Sequence, residues 1–336
     1  MKNKKIVRII IYLLPIILVF ISLFIGRYQI SINSVLNILK AGITGNIDSV
    51  SDIEYSLIWD VRMPRTILAI LVGGSLGISG AALQGLFRNP LVDSGILGVS
   101  SGAGFGAALA IIMFSGIFPI YLFSFAFSLV AVILSIRIGR INNSNSAILL
   151  VLGGVIISSI FSSLISFLKF IADPYNELPS IIFWLMGSLA NASYREILIS
   201  AIPMLLGISG LLAVRWKVNV LSMGEREAQT LGINIKVYRW IVIIFSTLAT
   251  AGAVAVCGII SWIGLVIPHI GRMIVGNDNR YLMPVSIALG GFMLLIIDDF
   301  GRILTGGELP LNILTALIGG PFYIYLLKKT KEGAWR

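Results

Sequence analysis

The chain has 336 residues, 57% of them hydrophobic and only 12% charged, with a net charge of +10. A soluble domain carries about 25% charged residues, so this chain has too little charge to cover a water-facing surface; a soluble enzyme is excluded. The absence of any long polar block also excludes a receptor with a large extramembrane domain. At ~20 residues per membrane helix, there is room for about ten spans plus short loops.

Residues 9–26 are uncharged and follow Lys2, Lys4, Lys5 and Arg8. No small-residue cleavage site follows them, so they read as a retained first helix rather than a signal peptide. Residues 66–87 form a second uncharged stretch, and no charge interrupts Ser94 to Ile136, enough for two helices with a turn near Gly116–Pro119. Residues 141–168, 197–214, 281–297 and 309–327 give four more. Two stretches are ambiguous: 178–194, with Pro179, Gly187, Asn191 and Ser193, and 240–271, broken by Gly258, Gly264 and Pro268. Ten spans result if the first crosses and the second is one helix, or if the first does not cross and the second is two. Only the second reading keeps Arg215, Lys217, Arg226, Lys236 and Arg239 on the cytosolic side, where basic residues collect.

The expected fold is therefore an all-α integral membrane protein, a single polytopic domain over 1–336 with ten transmembrane helices and cytosolic N- and C-termini. The basic excess then marks cytosolic loops and needs no nucleic acid. Ser79-Gly-Ala-Ala-Leu-Gln-Gly85 in the second helix resembles Ala251-Gly-Ala-Val-Ala-Val-Cys-Gly258 in the seventh, each downstream of an arginine, Arg65 or Arg239. Five helices separate them, so helices 2–5 and 7–10 would form an inverted repeat, a transporter habit.

The cytosolic loop 215–239 carries Ser222 and Glu225 at capping-box spacing and Gly232 after Leu231 as a stop. A helix of about ten residues is expected there, either a solvated loop helix or a rigid knob for a cytosolic partner. The small residues of Gly95–Gly106 read as close packing, and Arg88-Asn-Pro90 as a turn. Ser158, Ser159, Ser162, Ser163 and Ser166 fall at i, i+4 spacing on one helix, lining a pathway or bonding back to their own backbone. Arg62, Arg65 and Arg302 fall at an outer face that is otherwise net acidic, as snorkelling side chains or as a docking cluster. His269 reads as a structural hydrogen-bonder near the inner face. The lone Cys257 forbids an internal disulfide and, with His269 the lone histidine, no metal or redox centre is expected. There is no phosphate loop, no nucleophile elbow and no charge near the middle of any span, where an ion-driven carrier usually buries one. Energy is expected from another chain, with no cofactor in this one.

At this point the residues resemble the FecCD family, permease subunits of bacterial iron-siderophore and cobalamin ABC importers. The resemblance runs from about Asp60 to Leu327. It rests on Arg62-Met-Pro-Arg65, Ser79–Gly85, Arg88-Asn-Pro-Leu91, Gly95–Ala103, Trp184–Ser188, Leu221-Ser-Met-Gly-Glu225, Leu231-Gly232, Gly264–His269, Glu308-Leu-Pro310 and Leu314–Phe322. It implies ten helices, a permease dimer (identical or not), two cytosolic ATP-binding subunits holding ATP and Mg, and an extracytoplasmic solute-binding protein. It places the coupling helix on Ser222, Met223, Gly224, Glu225, Glu227, Ala228, Leu231 and Gly232, and acidic residues of the binding protein on Arg62, Arg65 and Arg302. Ser261-Trp262, Asn312 and Gly320 depart from the family pattern. The resemblance points to ferric siderophore as cargo, with heme and cobalamin next and molybdate after them. The rivals from other classes are a secondary carrier with inverted repeats and a polytopic membrane enzyme.

Overall fold

The computed structural model describes residues 2–45, 50–139, 147–304 and 308–329; Asn46, Asn143, Lys331 and Arg336 lie outside them. The described residues form α1 (Lys2–Phe24), α2 (Ile32–Thr44) and α3 (Asp52–Ser56), which leads through a π-helical turn (Leu57–Arg62) into α4 (Met63–Phe87). Then come α5 (Val99–Met113), α6 (Ile117–Gly139), α7 (Ala147–Ile171), α8 (Glu177–Met186), α9 (Tyr194–Met223) and the short α10 (Glu225–Thr230). The chain closes with α11 (Ile235–Cys257), α12 (Ile263–Val275), α13 (Asn279–Ile303) and α14 (Leu311–Lys329).

Among the described residues seven helical runs are long and apolar enough to cross a membrane, and α5, α12 and α14 are shorter apolar helices. Helix α8 has 10 residues, about 15 Å at 1.5 Å per residue, half the hydrocarbon thickness. Residues 240–271 do divide, at Gly258, into α11 and α12. Both observations agree with the reading in which 178–194 does not cross.

Lipid tails offer no hydrophobic drive between helices, so a membrane bundle is held by close packing. Helix α4 shows this most fully: 83% of its most apolar stretch is buried, against 22% for α1 and for α9. It carries small residues on every side and crosses α13 at Gly73 and Gly290, where a Cβ on either glycine would overlap the other's carbonyl oxygen. Helix α4 packs on α12 and α13, α11 packs on α5 and α6, and α4 and α11 pack on each other.

Elsewhere the sequence reading needs correction. Helices α2 and α3 were not expected; α2 is held by Val35, Ile38 and Ala41, all buried, and by the Trp59 indole N–H donating to the Ile38 carbonyl at 3.3 Å. Helix α9 does not end near 214 but continues to Met223, because Val218, Val220 and Leu221 remain on a buried face. Helix α13 passes beyond the uncharged window and takes Asp298, Asp299 and Arg302 into its last turns. Charge does enter the spans, therefore, but toward one end and in pairs.

Candidate functional site

The loop after α9 begins at Gly224, whose φ of +138° ends that helix and admits a sharp change of direction. The expected capping box does not form: Ser222 lies within α9 and its hydroxyl donates to the Asn219 carbonyl at 2.7 Å. The loop helix α10 is consequently 6 residues long, Glu225–Thr230, rather than about ten. Its far end closes as a Schellman turn. The Ile233 N–H donates to the Ala228 carbonyl and the Gly232 N–H to the Gln229 carbonyl, both at 3.0 Å, with Gly232 at φ +72°. Ala228 and Ile233 are buried in the same apolar cluster as Leu221 and Val218, so α10 is fixed to the bundle. Met223 and Leu231 at its two ends are 62% and 56% exposed. A rigid knob presenting two bare apolar side chains results.

Just behind it, Asn219 on α9 ties the loop to the start of α13. Its Nδ2 donates to Asp278 and its Oδ1 accepts from the Asn279 N–H, both at 2.6 Å. The Arg280 guanidinium holds the Asp278 carboxyl down at about 2, helped by Asn219 and opposed by partial burial.

At the other end of the bundle the three arginines are not free docking charges. Arg62, Arg65 and Arg302 are 3%, 6% and 8% exposed. The π turn points Arg62 inward, where it donates to the Leu23 and Tyr28 carbonyls at 2.6 Å and so caps the end of α1. Arg65 grips Asp298 through Nε and Nη2 at 2.8–3.1 Å and reaches Glu308 through Nη1 at 2.6 Å. Arg302 pairs with Asp299 and, at 3.3 Å, with Asp298, while Ser22 donates to Asp299 at 2.6 Å. Helices α1, α4 and α13 are braced together by this network. Reversing charges that are buried and paired in this way would cost folding.

The serines of α7 divide. Ser159, Ser163 and Ser166 donate to carbonyls four residues back, at 3.0–3.1 Å. The Ser158 hydroxyl is buried with no hydrogen-bond partner. Ser158, Ser159 and Ser162 line an open cleft of about 570 Å³ with Asp93, Gly95 and Ile96 from the α4–α5 connector. Burial pushes the Asp93 carboxyl up, against backbone N–H bonds from Ile96 and Gly95 that lower it. Sequence reasoning passed over Asp93; a lone carboxylate in a connector of small residues was the available signal.

Three of the departures from the family pattern, Ser261, Trp262 and Asn312, lie together. The Ser261 N–H donates to Asn312 Oδ1 at 3.2 Å, and Trp262, at φ +71°, lies over Gly319, the neighbour of Gly320. The Trp262 ring packs edge-on against Tyr323 at 6.1 Å, with His269 on the same tyrosine at 6.5 Å. Tyr323 in turn donates to the Pro90 carbonyl at 3.1 Å, linking α14 to the connector that holds Asp93. Among the described residues no group of three His, Cys, Asp or Glu side chains could hold a metal ion.

A family model described as the FecCD transport family matches residues 13–329. The chain is 40% identical over 321 residues to the molybdate import system permease protein MolB of Haemophilus influenzae, covering 96% of this chain and 95% of that one. It is 39% identical over 275 residues to a probable iron chelatin transport system permease protein of Helicobacter pylori, covering 82% and 83%. A solved ABC transporter of the metal-chelate type, in an inward-facing conformation, superposes with a TM-score of 0.86 at 38% identity. That match covers 96% of this chain and 99% of the other.

Proposed function

The chain belongs to the FecCD transport family, and from that premise we propose that it is the membrane permease of an ATP-driven importer whose cargo is a ferric chelate of the siderophore type. It is a multi-pass protein of the bacterial inner membrane, and ATP hydrolysis belongs to separate subunits. Helices α1, α4, α5, α6, α7, α9, α11, α12, α13 and α14 are the ten spans. Both termini are cytosolic, and α4–α7 and α11–α14 are an inverted repeat. Two permease subunits pair, two ATP-binding subunits holding ATP and Mg dock inside, and a solute-binding protein docks outside.

The observation that carries this reading is the α10 knob. Ala228 and Ile233 anchor it in the bundle, while Met223 and Leu231 stand bare on its outside, as a surface built to pass force to a partner must be arranged. ATP closes the partner subunits, the knob moves with them, and the rigid α9 behind it carries the motion into the bundle. The Ser158–Ser162 face of α7 lines the cargo's path. The arginine network is a brace that shapes the outer face rather than the docking charges themselves. A second reading, molybdate as cargo, is favoured by the 40% identity to the molybdate permease over nearly the whole chain.

Proteoliposomes holding the permease with its ATP-binding and solute-binding partners test the assignment. Uptake of radiolabelled ferric chelate should require internal ATP and survive an uncoupler. Uptake of labelled molybdate instead would move the cargo to the second reading. Uptake that follows an ion gradient without ATP would return the chain to the secondary carriers.

A further inference from the structure

Helix α2 has three distinct faces. It runs 13 residues, about 20 Å at 1.5 Å per residue, and both of its ends are closed. Ser31 Oγ accepts from the Ser34 N–H at 3.1 Å, and the Gly45 N–H donates to the Ala41 carbonyl at 2.8 Å. One face, Val35, Ile38 and Ala41, is buried. Val35 and Ile38 share an apolar cluster with Leu23, in the last turn of α1, and with Ile58 of the π turn. A second face carries Ile32, Leu36 and Ile43, which are 66%, 54% and 81% exposed. The third, Asn33, Asn37 and Lys40, is exposed and polar. At about 100° per residue, the bare apolar stripe falls between the buried face and the polar one.

What lies beside the stripe decides what covers it. Helix α2 packs on α1 and on the π turn, and Arg62 fastens the connector by donating to the Leu23 and Tyr28 carbonyls. That holds α2 level with the end of α1, where a membrane span leaves the hydrocarbon. Ile17, Phe20 and Ile21 of α1 are themselves exposed up to that end, so an apolar, lipid-facing surface runs up to α2. The stripe extends from the first residue of α2 almost to its last, so the division of polarity runs around the helix and not along it. A helix standing out into water would change along its axis; one lying in the boundary keeps a side in each medium throughout. Lys40 borders the stripe, where its long stem follows apolar surface while the ammonium stays with the headgroups. A soluble protein arriving from water would meet the polar face first.

We propose that α2 is a lipid-binding interfacial helix lying in the outer boundary of the bilayer, with Ile32, Leu36 and Ile43 among the acyl chains and Asn33, Asn37 and Lys40 among headgroups and water. The lipid contact needs only that α1 crosses the membrane; the choice of leaflet rests on the topology proposed above. The Trp59 indole N–H of the π turn donates to the Ile38 carbonyl at 3.3 Å, so lipid that holds α2 also fixes the depth at which α4 begins.

The test is site-directed spin labelling of the full permease in phosphatidylethanolamine–phosphatidylglycerol vesicles. Leu36→Cys, Ile43→Cys, Asn33→Cys and Asn37→Cys are made singly in a Cys257→Ser background; Cys257 is buried, so the native chain serves if that background does not purify. Power saturation then compares collisions with oxygen, which dissolves in acyl chains, against a water-soluble nickel chelate. The oxygen-to-nickel ratio should be several-fold higher at Leu36 and Ile43 than at Asn33 and Asn37, and should place the first pair about 5–10 Å into the headgroup and acyl boundary. Equal ratios at all four positions would overturn the proposal. So would a label at Leu36 that is open to the nickel chelate until the solute-binding protein is added, since the stripe would then be a protein-docking surface. The topology fails separately: on spheroplasts, a cysteine at Asn37 closed to an impermeant thiol reagent would overturn the outer leaflet, while the collision ratios still decide the lipid contact.

Discussion

Asp298→Asn probes the brace between α4 and α13. The Asp298 side chain is 0% exposed, accepts from Arg65 at 2.8–3.1 Å and is ion-paired with Arg302 at 3.3 Å. The neutral amide turns an N–H toward two buried guanidiniums and leaves Arg65 with Glu308 as its one carboxylate. Breaking a buried pair from one side costs about 3–5 kcal/mol, which is about two to three and a half powers of ten in the folding equilibrium. Glu308 gives the internal comparison: its side chain is 38% exposed and makes one bond to Arg65, so Glu308→Gln should cost only about 0.2–1 kcal/mol. Replacing both buried partners, Arg65→Met with Asp298→Leu, should recover much of the loss because no unpaired charge remains. Unfolding of the purified permease in mixed detergent and dodecyl sulfate micelles, followed by tryptophan fluorescence, reads all three. Equal small losses for Asp298→Asn and Glu308→Gln would refute the reasoning, as would a double variant worse than Asp298→Asn alone.

Five further outcomes are expected. Gly73→Ala, which forces a Cβ into the Gly290 carbonyl, should abolish monodisperse protein on gel filtration. Gly320→Ala meets nothing within 4 Å and should be neutral or add up to about 1 kcal/mol through helix propensity. Met223→Asp with Leu231→Asp should leave the permease folded but release the ATP-binding subunits in co-purification; full retention would make α10 a mere linker. Asp278 has a folded pKa of about 2, below the unfolded value of about 3.9. Its contribution should be complete above about pH 4 and fade between pH 4 and 2. Solvent exposure limits it to less than about 1 kcal/mol, and Asp278→Asn should erase that slope in the thermal midpoint. In a Cys257→Ser background, a cysteine at Tyr175, 87% exposed, should react with an impermeant thiol reagent from outside and one at Asn234 should not; the reverse would overturn the topology.

The sequence by itself determined that the chain lies in a membrane and where most of its apolar stretches begin and end, and it set the expectation that the 215–239 loop is cytosolic. Those properties follow from composition, from uncharged length and from where Lys and Arg collect, all of which are local. The glycine pattern likewise announced close helix packing, and Gly232 announced the end of the loop helix, since a left-handed residue after an apolar one is a short-range signal.

Tertiary structure decided the rest. Whether Ser222 starts a helix or sits inside one depends on whether Val218, Val220 and Leu221 find a buried face, and α9 finds its packing partners in α11 and in α4 and α13, the last two far away in sequence. The arginines showed the same dependence more sharply. Arg65 and Asp298 are 233 residues apart, and a charge count over loops sees only an outer cluster of cations. Once α4 and α13 cross at Gly73 and Gly290, a docking patch becomes a buried ion-pair network. The convergence of Ser261, Trp262 and Asn312 was hidden for the same reason: spacing along the chain reports periodicity and capping, while the partner of a buried charge or an oversized ring is set by which helices meet.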